Sequence, residues 1–381
     1  MLGSSCGKKA VVFTKHCYPV ERDPRLIKLT EATKESGYSV KLVLWDHREE
    51  LREYKNPISN WEEFVLRLKV SYGVKSVPFW PIWWLFAVLK LVSFEWSIAY
   101  AIDLPSIVPV LFAGRLKRRP VIYEIENSLI DQVIVPEVIR SVLLTVEKIL
   151  ASVYDAIVLV DELQIQELNF STSSKIVSIY DSAIDVFKKY DMQTYQNKVF
   201  TLFYAGMLYE GKKLNLDKLI TAIRGVEGVR VVFAGYGDLV EQIERWSREM
   251  PNKVEFIGKI PYEEVLQRSL RCDLLFVLRD PLPPVNRYIC GSKLFQAVMC
   301  GKPILVNKGT STAIKVMRDK CGVVIDANNV EEVREAILKL KNNTELCKTL
   351  GMNGRRAYEQ RYSWQLMMQR LLNLYSELVN S

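Results

Sequence analysis

Histidine is almost absent from this chain: His16 and His47 are the two among 381 residues. A histidine-built metal centre is therefore not expected, and no metal is assigned. The seven cysteines (Cys6, Cys17, Cys272, Cys290, Cys300, Cys321 and Cys347) are odd in number and contain no C-x-x-C pair. That argues against a disulfide framework or a zinc site, and for free thiols that pack as small hydrophobes in a reducing, cytoplasmic compartment. No stretch reaches the roughly eighteen uninterrupted apolar residues that a membrane span needs. The opening MLGSSCGKKAVVFT lacks an apolar core long enough for a secretory signal and leads straight into a strand pattern. There is no low-complexity tract and no short-period repeat. Basic residues form no stripe interleaved with stacking aromatics, so nucleic acid is a poor partner.

What is present is a globular composition, 49% hydrophobic and 25% charged, in a chain long enough for two domains. The first half alternates strand and helix signals. Lys9 to Thr14 is a buried-strand run, Leu26 to Ser36 has helical periodicity and stops at Gly37, and Val40 to Trp45 is the next strand. Val121 to Ile125 and Ala156 to Val160 are short β-branched runs, with a helix over Val138 to Ser152 between them. The polar stretch Lys188 to Asn197 reads as a linker, after which the alternation restarts at Val199. Strands separated by helices imply βαβ units and parallel sheets. The expected class is α/β, with two Rossmann-like doubly wound domains, residues 1–187 and 188–362, facing a cleft. Ligands in such sheets bind beyond the carboxyl ends of the strands.

The richest segment is Asn286 to Val306. A polar loop with Gly291 and Ser292 enters an apolar-periodic helix over Lys293 to Cys300, closed by Gly301. Free N–H groups and the positive end of the macrodipole at this helix start suit a diphosphate. Lys293 adds a full charge at the end where cations do not help a helix. An ordinary helix with a Ser cap and a Gly stop fits the same residues. Gln296, one turn in, suits a ribose hydroxyl or a buried backbone group equally well. Gly206, ending a strand, precedes the adjacent pair Lys212 and Lys213; either could neutralise a leaving diphosphate, Lys212 being the one assigned, unless these are surface lysines. Gly235 and Gly237 permit close approach of a ligand, though a lone G-x-G is weak. Ile260 completes the candidate donor-binding set.

In the first half, Glu124 and Glu126 lie at a strand's carboxyl end and point to one side, with Ile125 opposite. Two such carboxylates would position an acceptor hydroxyl or counter positive charge developing on a sugar, or else are solvated strand-end acids. Asp103 is a further strand-end acid. Arg25, in Asp23-Pro24-Arg25, either opens a helix or binds a phosphate on the acceptor side. The run Phe79 to Phe86 contains Phe79, Trp80, Trp83, Trp84 and Phe86. With the basic cluster Arg115 to Arg119 and a net charge of +8, it suits a helix on an anionic membrane surface. A core helix followed by a solvated basic loop is the competing account.

Taken in order, these residues resemble the two-Rossmann (GT-B) glycosyltransferases, specifically the large retaining family 4. The likeness rests on Asp23-Pro24-Arg25, Val121–Ser128, Tyr204-Ala205-Gly206 with Lys212, Phe256-Ile257-Gly258, Ser292 to Pro303, and Tyr362-Ser363-Trp364. It implies a second domain binding a nucleotide-diphosphate sugar as co-substrate, a first domain binding a glycan or lipid-linked acceptor, and no cofactor. It also implies a last helix, 363–381, that returns to the first domain. Lys212 would contact the diphosphate, Ser292 through Leu294 would hold phosphate, and Gln296 would face the ribose. The chain departs from the family at Met207, where an arginine is frequent, and at Gln296 and Tyr288, where carboxylates are usual. Glu126 or Asn127 stands in place of a common histidine. The resemblance implies a hexosyltransferase-type enzyme; the aromatic run Phe79 to Phe86 and the basic cluster Arg115 to Arg119 add the expectation that it is peripheral to the cytoplasmic face of a membrane. The departures leave open a non-catalytic nucleotide-sugar-binding subunit. A phosphorylase or epimerase on the same fold is less favoured, since no pyridoxal-phosphate lysine site is found.

Overall fold

The computed structural model describes residues 9–16, 23–47, 61–71, 73–126, 137–168, 174–186 and 198–380. The chain divides into two compact units, Met1–Tyr180 with Met368–Ser381, and Asp181–Met367. The division falls ahead of the polar stretch 188–197, which lies outside the described residues. Residues 181–185 are tied to the second unit instead. Ser182 donates to the Tyr362 carbonyl, Tyr358 Oη donates to Ala183 O at 2.9 Å, and Arg355 pairs with Asp185 at 2.6 Å.

The first unit runs β1 (Ala10–Lys15), α1 (Pro24–Glu35), β2 (Ser39–Asp46), β3 (Glu62–Arg67), α2 (Trp80–Ser93), β4 (Ile98–Ile102) and α3 (Leu104–Lys117). It continues with β5 (Val121–Ile125), α4 (Glu137–Ala151), β6 (Ala156–Leu159), α5 (Gln164–Leu168) and β7 (Lys175–Ser178). Its parallel sheet has the order β3-β2-β1-β4-β5-β6-β7, so the direction of strand addition reverses between β1 and β4. Ligands in doubly wound sheets gather at such a switch point, beyond the strands' carboxyl ends. The helix starts follow local chemistry: Asp23 caps α1 by accepting Leu26 N–H at 3.0 Å, Pro24 occupies the first turn, and Gly37 leaves with φ 85°.

Helix α2 keeps one face in the core and one outside. Trp80, Trp83, Ala87 and Leu91 are buried, at helical spacing. The indole N–H groups of Trp83 and Trp84 both donate to Pro105 O, at 3.1 and 2.9 Å, fastening α2 to the start of α3. Trp80 and Trp83 are thus core residues, which corrects the expectation that the tryptophans of Phe79–Phe86 sit at a lipid headgroup level. The exposed face is aliphatic instead: Ile82, Leu85, Leu89 and Val92.

The second unit runs β8 (Phe200–Met207), α6 (Leu216–Arg224), β9 (Val229–Tyr236), α7 (Val240–Glu249), β10 (Val254–Phe256), α8 (Tyr262–Arg271) and β11 (Leu274–Val277). Then come α9 (Pro284–Tyr288), α10 (Ser292–Met299), β12 (Ile304–Asn307), α11 (Ser311–Asp319), β13 (Gly322–Ile325), α12 (Val330–Lys341) and α13 (Thr344–Ala357). Its parallel sheet has the order β10-β9-β8-β11-β12-β13, with the switch point between β8 and β11. The last helix, α14 (Trp364–Asn380), enters the first unit from Met368 on. There Tyr375 Oη lies 3.1 Å from Thr33 Oγ1, and its ring meets Tyr38 and Tyr100 edge-on. The two Rossmann-like sheets and the long closing helix agree with the fold class read from the sequence.

Candidate functional site

In the second unit, the strongest sequence signal is a helix that begins one residue earlier than expected. Gly291, with extended φ and ψ, occupies the cap position of α10 and carries no capping side chain, so Ser292 is the first helical residue and not the cap. The opening N–H groups of α10 therefore lack the side-chain acceptor that usually satisfies them. Leu294 N–H bonds to Gly291 O at 3.3 Å, while its side chain is buried in the core. Any contact from Leu294 to a ligand is limited to the backbone.

Lys293, half-buried, folds back from this helix start over Gly206 at the end of β8. A Cβ at Gly206 would stand 3.1 Å from Lys293 Cε and 3.5 Å from Nζ, on a backbone with φ 157°. A side chain there would crowd the lysine and sit on a backbone angle that favours glycine. On the other side, the guanidinium of Arg279 lies against Gly291, its terminal nitrogens 3.4 Å from where a Cβ would be. Burial pushes the Lys293 amine down to about 8, with the neighbouring Arg279 charge adding to the effect and Asp181 opposing it. Arg279 Nε is shielded from solvent and has no hydrogen-bond partner. Tyr204 completes the group, its hydroxyl 3.6 Å from the Gly206 Cβ position and donating to Met207 O at 3.3 Å.

Three donor-side expectations change in character. Gly235 and Gly237, at φ 145° and 147°, are glycines because a Cβ would fall 1.9 Å from Gly206 O and 2.1 Å from Leu208 O. The close approach that requires glycine is to the carbonyl oxygens at and just past the end of β8. Gln296 is turned inward: it is buried and donates from Nε2 to Ser269 Oγ at 2.5 Å, so the internal role displaces the ribose contact. Ile260 lies half-buried in the loop between β10 and α8. Lys212 closes a short turn after β8, and its side chain lies outside the described residues.

In the first unit the strand-end acids come together at the carboxyl ends of β1, β4 and β5. Arg25 Nε meets Glu124 Oε1 at 2.6 Å and Glu126 Oε1 at 3.6 Å, so both carboxylates do share a side of β5. Lys15 meets Glu126 at 2.6 Å and also pairs with Asp23. Asp103, at φ 59°, accepts the Glu126 N–H at 3.0 Å and gives its own N–H to Glu124 O. Arg25 is thereby committed to buried carboxylates, which answers the expectation that it reaches an acceptor phosphate. Glu124 is 0% exposed, against 8% for Glu126. Burial raises the Glu126 carboxyl, the nearby acids Asp23, Asp103 and Glu124 reinforce it, and Lys15 pulls the other way. His16 and His47 are buried edge-on to each other and held neutral, pushed down to about 3 and about 4 chiefly by desolvation. Among the described residues the cysteines, Cys272, Cys290, Cys300, Cys321 and Cys347, are free thiols.

Sequence reasoning missed Arg279 and Lys15. Each is a cation at the carboxyl end of a buried strand, Lys15 as the last residue of β1 and Arg279 just past β11, which is the signal that finds them. A separate cavity of about 580 Å³, bordered by Thr201, Arg230, Glu255 and Arg268, opens at the amino ends of β8 and β9. It holds none of these residues.

Residues 189–357 match the family model described as glycosyl transferases group 1. The chain is 27% identical over 164 residues to an uncharacterised glycosyltransferase of Methanocaldococcus jannaschii, covering 43% of this chain and 44% of that protein. It is 24% identical over 164 residues to a GDP-mannose-dependent monoacylated α-(1-6)-phosphatidylinositol monomannoside mannosyltransferase of Corynebacterium glutamicum, covering 42% of each. The matched region thus spans less than half the length of these relatives. Among solved structures, sucrose-phosphate synthase from Thermosynechococcus elongatus superposes with TM-score 0.71 at 14% identity, over 97% of this chain and 99% of that one. The Anabaena protein HepE in complex with UDP-glucose gives 0.70 at 16% identity, over 97% and 99%. At these identities the structural likeness concerns the fold.

Proposed function

We propose, from the match of residues 189–357 to the glycosyl transferases group 1 family model, a glycosyltransferase that moves a sugar from a nucleotide-diphosphate donor to a membrane-proximal acceptor, with retention. The observation that carries this reading is the Lys293 amine at an uncapped helix start beside Gly206, within the family-matched unit. As the glycosidic bond breaks, charge develops on the departing diphosphate. A cation and free backbone N–H groups fixed in advance stabilise that charge without a metal or cofactor. The sequence resemblance adds Lys212, in the turn after β8, as a further candidate contact to the diphosphate. On the acceptor side, Glu126 is the most exposed of the three strand-end acids Asp103, Glu124 and Glu126, held by the Asp103 carboxylate at its N–H and by Lys15 and Arg25 at its carboxylate. The similarity to a GDP-mannose-dependent relative and to a fold neighbour bound to UDP-glucose supports a nucleotide-sugar donor without choosing its base.

The test is a thermal-shift and turnover panel of UDP, GDP, ADP and their sugars. A ligand that binds the native state must raise its melting temperature. Silence across the whole panel refutes the donor site. Binding without turnover of any nucleotide sugar would instead identify the non-catalytic subunit.

The acceptor half of the reading rests on the surface of the first unit. Beside the aliphatic face of α2, α3 exposes Phe112 and Leu116, and α4 with the turn after it exposes Val138, Val142, Val146, Ile149 and Val153. The three helices pack side by side, and Arg115 bridges α3 to Val153 O at 2.6 Å. Arg115, Arg118 and Arg119 border this face as exposed cations. Segment Lys75–Ser93 is long and apolar enough to cross a bilayer, but a helix held in the core by Trp80 and Trp83 lies along a membrane. An apolar face rimmed by cations suits the cytoplasmic, anionic leaflet. The similarity to an enzyme acting on a phosphatidylinositol mannoside supports the same reading. The purified chain is expected to sediment with vesicles containing acidic phospholipid, less so at high salt. The Leu85→Asp/Leu89→Asp pair, 63% and 61% exposed in the wild type, should cut binding at least about tenfold with little change in melting temperature. Wild-type protein that stays in the supernatant removes the membrane from the proposal.

A further inference from the structure

We propose that Arg279 is a second diphosphate-binding cation, acting as a pair with Lys293. The assignment rests on the donor reading above and names a residue that reading does not use. Three observations carry it. Arg279 and Lys293 are like charges held in one group, the first against Gly291 and the second over Gly206, both partly withdrawn from water. Among the described residues neither forms a salt bridge: Asp181 acts on Lys293 only as a more distant charge, and Arg279 Nε is buried with no hydrogen-bond partner. Finally, both charged groups lie against glycine backbone: Lys293 Cε would stand 3.1 Å from a Cβ at Gly206, and the Arg279 guanidinium would be in contact with one at Gly291, at 3.4 Å.

Physical chemistry makes this arrangement unfavourable in the empty protein. Two cations close together in a partly desolvated pocket repel each other, and a buried donor with no acceptor loses its water without compensation. Both costs vanish when a dianionic or trianionic group enters. A guanidinium presents a planar fork that fits two phosphate oxygens, whereas the ammonium of Lys293 is a single compact charge. Arg279 therefore suits a bridging contact to both phosphates and Lys293 a contact to one of them. Met207, exposed at the end of β8, contributes no charge beside them.

The test is titration calorimetry on the full chain with UDP, GDP and inorganic pyrophosphate, and with uridine and guanosine as phosphate-free controls. Arg279→Ala is expected to weaken the diphosphates and pyrophosphate by at least about tenfold while leaving the nucleosides unchanged. Arg279→Lys should recover part of the loss, since it keeps the charge and loses the fork. Without ligand, Arg279→Ala should melt at or above the wild-type temperature, because a repulsion has been removed. The Lys293 amine should at the same time titrate at higher pH, as read from the pH dependence of its acetylation rate. If the wild type binds UDP or GDP and Arg279→Ala binds it within about twofold, the assignment falls and the donor reading stands. A lower melting temperature with nucleoside and diphosphate affinity lost in equal proportion marks a structural role and overturns the assignment. If the wild type binds neither nucleotide nor pyrophosphate, the donor reading fails and takes this pairing with it.

Discussion

Lys293→Ala lowers turnover of the donor sugar by about 10²- to 10³-fold, the size of effect seen when one fixed donor to a developing anion is removed. The fold survives the change, because the amine is held at a cost. Its folded-state value of about 8 lies below the ordinary lysine value of 10.5, so the native state disfavours the charged form. Below pH 8 the lysine is charged in both folded and unfolded chains, and that cost is present in full. It is relieved as pH rises from 8 toward 10.5, where the unfolded chain binds the proton and the native state does not. Lys293→Met should therefore raise the melting temperature of the unliganded protein at neutral pH, and the advantage should fade above pH 10. Nucleotide affinity runs the other way: it falls as pH climbs past 8 in the wild type and stays flatter in Lys293→Arg. A wild-type affinity independent of pH between 7 and 10 would falsify the direct contact. The site trades stability for charge, as binding sites commonly do.

The second large effect belongs to the first unit. Glu124 is fully buried and pairs with Arg25 at 2.6 Å. Removing one partner leaves the other charge buried and uncompensated, so Arg25→Met should cost about 3–5 kcal/mol in urea unfolding. Replacing both, as Arg25→Met/Glu124→Leu, should recover most of that loss, since well-packed apolar residues often do as well as a buried pair. The double variant also separates two roles. If it folds like the wild type yet transfers no sugar, the pair serves the reaction through Glu126. If it folds and retains full activity, the pair is structural and the proposed positioning role is wrong.

How far the sequence could be read depended on whether each signal was local. The α10 start was legible because Gly291, Ser292 and Lys293 are adjacent and the apolar period begins at once. The alternation of strands and helices was legible because buried parallel strands are continuous apolar runs. Strands β3 and β7 were not recognised. EEFVLR and KIVS are edge strands of partial burial, and their composition carries little apolar weight. The G-x-G after β9 was legible as a constraint but not as to its cause. Only the register Gly206↔Gly235 between β8 and β9 shows that the crowding atom is a backbone oxygen. Gln296 turned inward because Ser269 of α8 offers a hydroxyl, and nothing in the local sequence announces a partner 27 positions away. Arg279 and Lys15 were missed for the same reason. A charge after a strand acquires meaning only when the neighbouring strands are known.

The closing helix has a consequence for biogenesis. Thr33, Tyr38 and Tyr100 receive Tyr375 from a segment that follows the whole carboxy-terminal lobe in the chain, so the amino-terminal lobe emerges from the ribosome with an apolar bed still vacant. It can be completed only after the entire carboxy-terminal lobe has been synthesised. A fragment stopping at residue 180 should therefore be sticky on expression, and a stretch from 368 to 380 supplied as a separate peptide should rescue it.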